Sequence, residues 1–348
     1  MEARIAIAPS APGSTDGELD RLRLGIEEAV SRGGGANVPL ADATGLVWLV
    51  PGEPELLGAT LDAHPRIGWV QFPWAGVERF TSSGVLDRPV VFSCAKGAFA
   101  GQVAEHALML MLACLRDLSR QARTPGWRPG DPRSLHGRRV TILGGGGIAT
   151  ELVRLLRPFE CRIRVIRRHP EKTGGADGTP GTPQTPGTPG TRGTPKTPGT
   201  RGAPGTPGTP ETLPPSALPA VLPETDLLVL ALALTPETRH VVGAAQLALL
   251  PPHAAVVNVA RGAHIDTGAL VEALRAGTIS AAGLDVTDPE PLPDGHPLWA
   301  DPRVLITSHS ADSAEYVARM LCERVERNVG NLRAGRPLEG VIDPAVGY

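Results

Sequence analysis

Apolar positions along this chain recur in two rhythms. Short, nearly continuous apolar runs at residues 4–8, 45–50, 226–232, 255–260, 280–286 and 304–307 read as strands buried on both faces. Between them lie stretches with helical spacing, at residues 18–30, at 102–118, and from Asp312 onward through Val317, Met320, Leu321, Val325, Val329 and Leu332. Residues 102–118 are apolar nearly all round, with Val103, Ala104, Ala107, Leu108, Met109, Leu110, Met111 and Leu112, which predicts a helix buried between layers. Its polar exceptions, Glu105 and His106, read as satisfied structural groups. Asp266 and Thr267 offer a cap to a helix through Leu270, Val271 and Leu274 that Gly277 ends. Strand and helix alternate almost throughout, the pattern of α/β layers on parallel sheets.

One stretch organises the rest. Residues 139–143 predict a buried strand that runs into Gly144, Gly145, Gly146 and Gly147, then a helix with apolar residues at Ile148, Leu152, Leu155, Leu156 and Phe159, then a strand at 162–167. In such a βαβ unit Gly144 permits the sharp turn, Gly146 the close approach of a pyrophosphate, and Ala149 the packing of helix on strand. The helix N-terminus then faces the phosphates. The expectation is a dinucleotide site. Where an acidic residue would meet a ribose 2′-hydroxyl, the chain has Arg167 and Arg168, followed by His169. A guanidinium fork matches a 2′-phosphate, so NADP(H) is favoured, with NAD(H) as the alternative.

Composition narrows the setting. At 348 residues the chain has room for two domains, and a net charge of −2 gives no reason to expect nucleic acid or a membrane surface as partner. Cys94, Cys114, Cys161 and Cys322 have no metal or redox spacing, so no metal is expected and a reducing cytoplasm is. The N-terminal apolar run is too short for a signal peptide, and no apolar segment is long enough for a bilayer. Residues 178–210 repeat Gly-Thr-Pro, broken at Gln184 and Lys196, and read as a disordered, proline-stiffened insert.

Candidate chemistry sits at predicted strand ends. After the strand ending at Gln71, Trp74, Ala75 and Gly76 form a turn whose small residues either expose N–H groups to an anion or belong to an ordinary strand-to-helix turn. Arg261, Asp285 and His309 lie at or past strand carboxyl ends, where open parallel sheets bind ligands. Reducing a 2-oxo acid needs a cation for the carboxylate, a proton donor for the ketone oxygen, and a hydride. Arg261 suits the first role, His309 the second and a nicotinamide cofactor the third. Glu290 suits a carboxylate that holds the His309 ring and stabilises its charged form.

The runs Val103-Ala-Glu-His-Ala-Leu, Leu143-Gly-Gly-Gly-Gly-Ile, Leu234-Thr-Pro-Glu-Thr-Arg, Val257-Asn-Val-Ala-Arg-Gly, Leu284-Asp-Val-Thr-Asp-Pro-Glu-Pro and Leu305-Ile-Thr-Ser-His stand in one order. In that order the chain resembles the D-isomer-specific 2-hydroxyacid dehydrogenase family. The resemblance implies a Rossmann-type doubly wound parallel sheet inserted into a discontinuous, smaller flavodoxin-like α/β substrate domain. Residues 1–98 and 310–348 would form the substrate domain, and 99–309 the dinucleotide domain, with the insert at about 172–212. It further implies Arg261, Glu290 and His309 as catalytic residues. Gly144, Gly146, Gly147, Ile148, Arg167, Arg168, Thr235, Thr238, Asn258, Ala260 and Asp285 would line the cofactor. Trp74, Ala75, Gly76, Lys96 and Gly97, with Arg261, would line the substrate. Ser308 stands where the family has proline, Ala149 where it has a third glycine, and Arg167 where it has an acidic residue.

The activity so implied is NAD(P)H-dependent reduction of a small 2-oxo acid such as glyoxylate or hydroxypyruvate, by a homodimer. The chain ends after the closing helix, so the regulatory domain of many phosphoglycerate dehydrogenases is not expected. The alternative of another class is an NAD(P)-sensing binding protein like the C-terminal binding protein corepressors, which share this fold. Formate oxidation would leave the His309–Glu290 pair idle.

Overall fold

The structure, a computed structural model, describes residues 3–8, 17–127, 129–171 and 209–344. Strands β1 (Arg4–Ala8), β2 (Ala36–Asn37), β3 (Gly45–Trp48), β4 (Trp69–Gln71) and β5 (Val91–Ser93) form one parallel sheet in the order β2-β1-β3-β4-β5, the flavodoxin-like order. Strands β6 (Arg139–Leu143), β7 (Arg162–Ile166), β8 (Glu211–Leu213), β9 (Leu227–Leu230), β10 (Ala255–Asn258), β11 (Ala281–Leu284) and β12 (Val304–Ile306) form a second, in the order β12-β11-β10-β9-β6-β7-β8. Its order reverses between β6 and β9, the switch point of a Rossmann sheet. The apolar runs are strands because both their faces are covered. Ile142, Val229 and Val257 pack on one side of the second sheet, and Leu143, Leu230 and Val256 on the other.

The long C-terminal helix Ala314–Ala334 is capped by the Ser313 side chain and returns to the first sheet. Its Leu321, Val325 and Val329 share a core with Ile5, Ile7, Val47 and Trp69. Arg324 on the same helix is 3% exposed. Its Nη1 donates to the Cys94 carbonyl at 2.9 Å and its Nη2 to the Lys96 carbonyl at 3.0 Å, while Glu339 lies 3.1 Å from its Nε. The chain passes from the first sheet to the second just beyond these carbonyls.

Three expectations change. The helix of residues 102–118 is two helices, Ala100–Leu115 and Leu118–Arg123, because Asp117 takes a φ of 52°. Asp is among the few residues that accept this left-handed conformation. Nor is the first of these helices buried all round. Ala104, Ala107, Leu110 and Met111 are buried, but Val103, Leu108 and Leu112 are only half-buried and Met109 is exposed. Finally, the insert expected at about 172–212 ends before residue 211, since Glu211–Leu213 pairs with Arg164–Ile166. Past Pro210 proline no longer recurs at every third position, so consecutive residues can donate to a ladder. Residues 172–208, and with them most of the insert, lie outside the described residues.

Asp226 joins the amino ends of the second sheet. It accepts the Arg139 backbone N–H at 2.8 Å and the Arg139 guanidinium at 2.9 Å, and His253 Nε2 lies 2.8 Å from it. Burial alone would raise its pKa, but these hydrogen bonds and the Arg139 charge outweigh it and hold it at about 2. A depressed carboxylate stabilises the fold above its unfolded pKa and loses that contribution as pH falls toward the folded value. Asp226→Asn should therefore cost about 2 kcal/mol at neutral pH, and the cost should shrink as pH drops from about 4 toward 2. Urea melts at both extremes check this; an equal cost at both would remove the ionised group from the explanation.

Candidate active site

Every candidate residue lies at or beyond the carboxyl end of a parallel strand. The Trp74–Gly76 turn follows β4, Lys96 and Gly97 follow β5, and the glycine turn follows β6. Arg167 and Arg168 follow β7, Thr235 and Thr238 follow β9, Asn258 closes β10 with Ala260 and Arg261 after it, Asp285 follows β11, and His309 follows β12. Two close approaches join the ends of the two sheets. The Arg261 Nη2 lies 1.9 Å from where a Cβ on Gly76 would sit, so a side chain there would push this guanidinium from its place. A Cβ on Gly147 would meet Ala100 at 3.1 Å and the Gly97 Cα at 3.5 Å.

The Arg261 fork is held from several sides. Its Nε donates to Glu78 at 3.0 Å and its Nη1 to the Ala260 carbonyl at 2.7 Å. Asn258 is 1% exposed and spends both amide atoms on the same loop, donating to the Arg261 carbonyl at 2.8 Å and accepting from Ala260 N at 3.0 Å. It thus reaches the site through the loop, as does Ala260, which is itself buried. The Trp74 indole stacks on Phe72 and Phe80. The ring faces the first sheet's core, and what this turn offers a ligand is backbone. Lys96 and Gly97 are exposed.

His309 and Glu290 meet: Nδ1 lies 2.7 Å from Glu290 Oε1, with both side chains about half exposed. Nδ1 is spent on the carboxylate, which leaves Nε2 for a ligand. The His309 backbone has a φ of 51° and donates its N–H to the Asp285 carbonyl at 2.8 Å. The Asp285 carboxylate, 2% exposed, accepts from Thr307 Oγ1 at 2.6 Å and from Ser310 N at 2.9 Å, with His106 Nε2 at 3.2 Å. Burial alone would raise its pKa; His106, Thr307 and Ser310 bring it down to about 2. Asp285 is thus a brace for the His309 loop. His106 joins that brace and also bonds Thr307 at 2.8 Å, whereas Glu105 is exposed.

The glycine turn has the shape a dinucleotide needs. Gly144 has a φ of 109°, and a Cβ there would lie 2.1 Å from the Ala231 carbonyl. A Cβ on Gly146 would meet nothing within 4 Å, so the N-terminus of the helix Gly147–Leu156 opens onto free space, which suits a pyrophosphate. Ile148 is half-buried against the second sheet's core. The Arg167 side chain lies over Gly145, 2.8 Å from a Cβ built there, while Arg168 pairs with Glu237 at 3.7 Å. Thr235 and Thr238 brace their own turn, with Thr235 N donating to Thr238 Oγ1 at 2.8 Å and Thr238 Oγ1 to the Ala233 carbonyl at 2.8 Å.

Comparison with known proteins identifies the family. Residues 208–311 match the family model for the NAD binding domain of D-isomer specific 2-hydroxyacid dehydrogenases. An uncharacterized protein of Corynebacterium melassecola is 33% identical over 82% of this chain and 86% of its own length. A D-isomer specific 2-hydroxyacid dehydrogenase of Xanthobacter autotrophicus, solved with NADPH and MES, superposes with a TM-score of 0.76 at 25% identity, covering 100% of both chains. A glyoxylate/hydroxypyruvate reductase A of Serratia proteamaculans is 30% identical over 72% of this chain and 69% of its own. The chain belongs to the D-isomer-specific 2-hydroxyacid dehydrogenase family. It is an oxidoreductase of 2-hydroxy acids and uses a nicotinamide cofactor.

Reading the sequence alone missed two residues of this dehydrogenase's site. Glu78, the partner of Arg261, opens the short helix Glu78–Ser82, and its role depends on an arginine far along the chain. His264 lies fully buried below Arg261, in a single 3-10 turn that has no periodicity to betray it. Among the described residues no group of His, Cys, Asp and Glu could hold a metal ion, and no helix is long and apolar enough to cross a membrane.

Proposed function

We propose that this dehydrogenase reduces small 2-oxo acids to 2-hydroxy acids, with NADPH as the preferred reductant. In this reading Arg261 and the backbone of the Trp74–Gly76 turn bind the substrate carboxylate, while Lys96 and Gly97 border the same pocket. His309 donates a proton from Nε2 to the ketone oxygen, and Glu290 fixes the ring through Nδ1 and offsets its charge. The Gly144–Ile148 turn would hold the cofactor by its pyrophosphate, and the reduced cofactor would supply the hydride for the carbonyl carbon. Asp285, Asn258 and Ala260 act by holding the loops that carry His309 and Arg261. Residues 1–98 and 310–348 are assigned to the substrate side and 99–309 to the cofactor side, in a homodimer.

The observation that carries this reading is the contact of Arg261 with Gly76, since a guanidinium fork matches a carboxylate and the turn's backbone could serve the same anion. The test is a panel of 2-oxo acids, glyoxylate and hydroxypyruvate among them, assayed with NADPH and NADH by cofactor absorbance. Absence of turnover with every 2-oxo acid would refute it.

Support for NADPH comes from Arg167, whose stem lies over Gly145 at the end of β7. A charge-assisted hydrogen bond contributes about 1.5–3 kcal/mol, or roughly 10- to 100-fold. Arg167→Asp should lower kcat/KM for NADPH relative to NADH by about that factor. An unchanged ratio would remove Arg167 from cofactor choice.

A further inference from the structure

His264 is an unusual occupant of its position. It has no exposed surface, stands three residues after Arg261, and is buried against both functional loops of the second sheet. Its Nδ1 lies 3.2 Å from the Arg261 backbone N and 3.0 Å from the Arg261 carbonyl, and its Nε2 lies 3.2 Å from the Ala233 carbonyl. Ala233 stands just before the Thr235–Thr238 turn, and its carbonyl also receives the Thr238 hydroxyl. The backbone strengthens this connection, since His240 N donates to the Ala263 carbonyl at 2.8 Å and Val242 N to the His264 carbonyl at 3.1 Å.

The ring's protonation follows from these partners. Burial pushes the His264 pKa below its ordinary value, and the nearby Arg261 charge adds to this, so the ring is neutral with a single proton. A proton on Nε2 lets that atom donate to the Ala233 carbonyl while Nδ1 accepts the Arg261 N–H. A proton on Nδ1 would leave the Nε2 lone pair facing a carbonyl oxygen. Only the first tautomer uses both nitrogens. The Arg261 carbonyl then takes its hydrogen bond from Asn258.

We propose that His264 is a positioning residue that ties the backbone of Arg261 to the Ala233–Thr238 segment on the cofactor side, and so fixes the guanidinium against the Gly76 turn. Desolvating an imidazole has a cost that a leucine filling the same space would avoid. What the imidazole adds is two directed hydrogen bonds, one to each loop. Arg261 has its other restraints at the guanidinium and the carbonyl; His264 restrains the N–H, and with it the direction in which the side chain leaves the backbone. The inference rests on Arg261 being the group that binds the substrate carboxylate.

The two ring nitrogens can be tested separately. His264→Asn keeps an acceptor near the Nδ1 position and loses the reach to Ala233; His264→Gln reaches toward Ala233 and leaves the Arg261 N–H without an acceptor. His264→Leu removes both bonds in a filled core and serves if the Gln variant does not fold. The Leu variant, which loses both bonds, should raise KM for the 2-oxo acid by about tenfold and the Asn and Gln variants, which each keep one, by less, with kcat and NADPH Kd nearly unchanged in all three. A uniform effect of all three, or a loss seen in melting temperature alone, would reduce His264 to a core residue. Arg261→Gln is run beside them. If it too leaves KM unchanged, the carboxylate-binding role of Arg261 has failed; if it raises KM while Gln and Leu at 264 do not, the His264 inference alone has failed.

Discussion

Replacing His309 with alanine is expected to lower kcat for 2-oxo acid reduction by about 10³-fold, with NADPH affinity unchanged. A positioned acid contributes roughly 10²–10⁴-fold, and His309, bonded to Glu290 through Nδ1, keeps Nε2 for the substrate. The Glu290 bond at 2.7 Å and the Asp285 carbonyl bond at 2.8 Å fix the ring and the backbone that carries it. His309 also has a φ of 51°, which costs a non-glycine residue about 1 kcal/mol. Alanine could therefore perturb the loop as well as remove the acid. Asparagine tolerates that conformation better, so His309→Asn is the paired variant. Steady-state kinetics and a fluorescence titration of NADPH on both proteins separate turnover from cofactor binding. Equal losses in the two measurements would mean that the histidine serves the fold.

The second large effect is expected at Arg261. Exchanging it for glutamine removes the cation and leaves Glu78, its partner at 3.0 Å, uncompensated beside the substrate carboxylate. Loss of one side of a close charge pair costs about 2–5 kcal/mol, so kcat/KM should fall by roughly 10²- to 10³-fold, chiefly through KM. The double variant Arg261→Gln with Glu78→Gln should recover part of this loss, because the repulsion is then gone. Lysine at 261 should recover little, since an ammonium cannot serve Glu78, the Ala260 carbonyl and the turn together as the fork does. A KM that stays at the wild-type value in the single variant would place the carboxylate site elsewhere.

The strands and the glycine turn were legible in the sequence because their causes are local. A strand covered on both faces must be apolar along its length, and Gly144 must be glycine to hold a φ of 109° beside the Ala231 carbonyl. The strand-end positions of Arg261, Asp285 and His309 were legible for the same reason. What the sequence hid is long-range. Nothing near Asp117 distinguishes an apolar helix that continues from one that breaks. Nothing near Glu78 announces an arginine 183 residues away in sequence. His106 reads as a helix residue with no chemistry, and only the fold puts it 3.2 Å from Asp285. His264 sits in an irregular turn, where a rule based on repeating apolar positions has nothing to measure.

The Arg324 contact bears on the order in which this protein can mature. The carbonyls it holds, at Cys94 and Lys96, belong to the passage from one sheet to the other, yet the guanidinium that holds them and the Glu339 carboxylate beside it come later in the chain than every strand of both sheets. During synthesis the later, Rossmann-type sheet already has all its strands while the earlier one still lacks its closing helix. N-terminal-first assembly, the usual course for a growing chain, is thus reversed in its final step. A polypeptide halted before Ala314 should hold nucleotide but leave the first sheet without the helix that covers it.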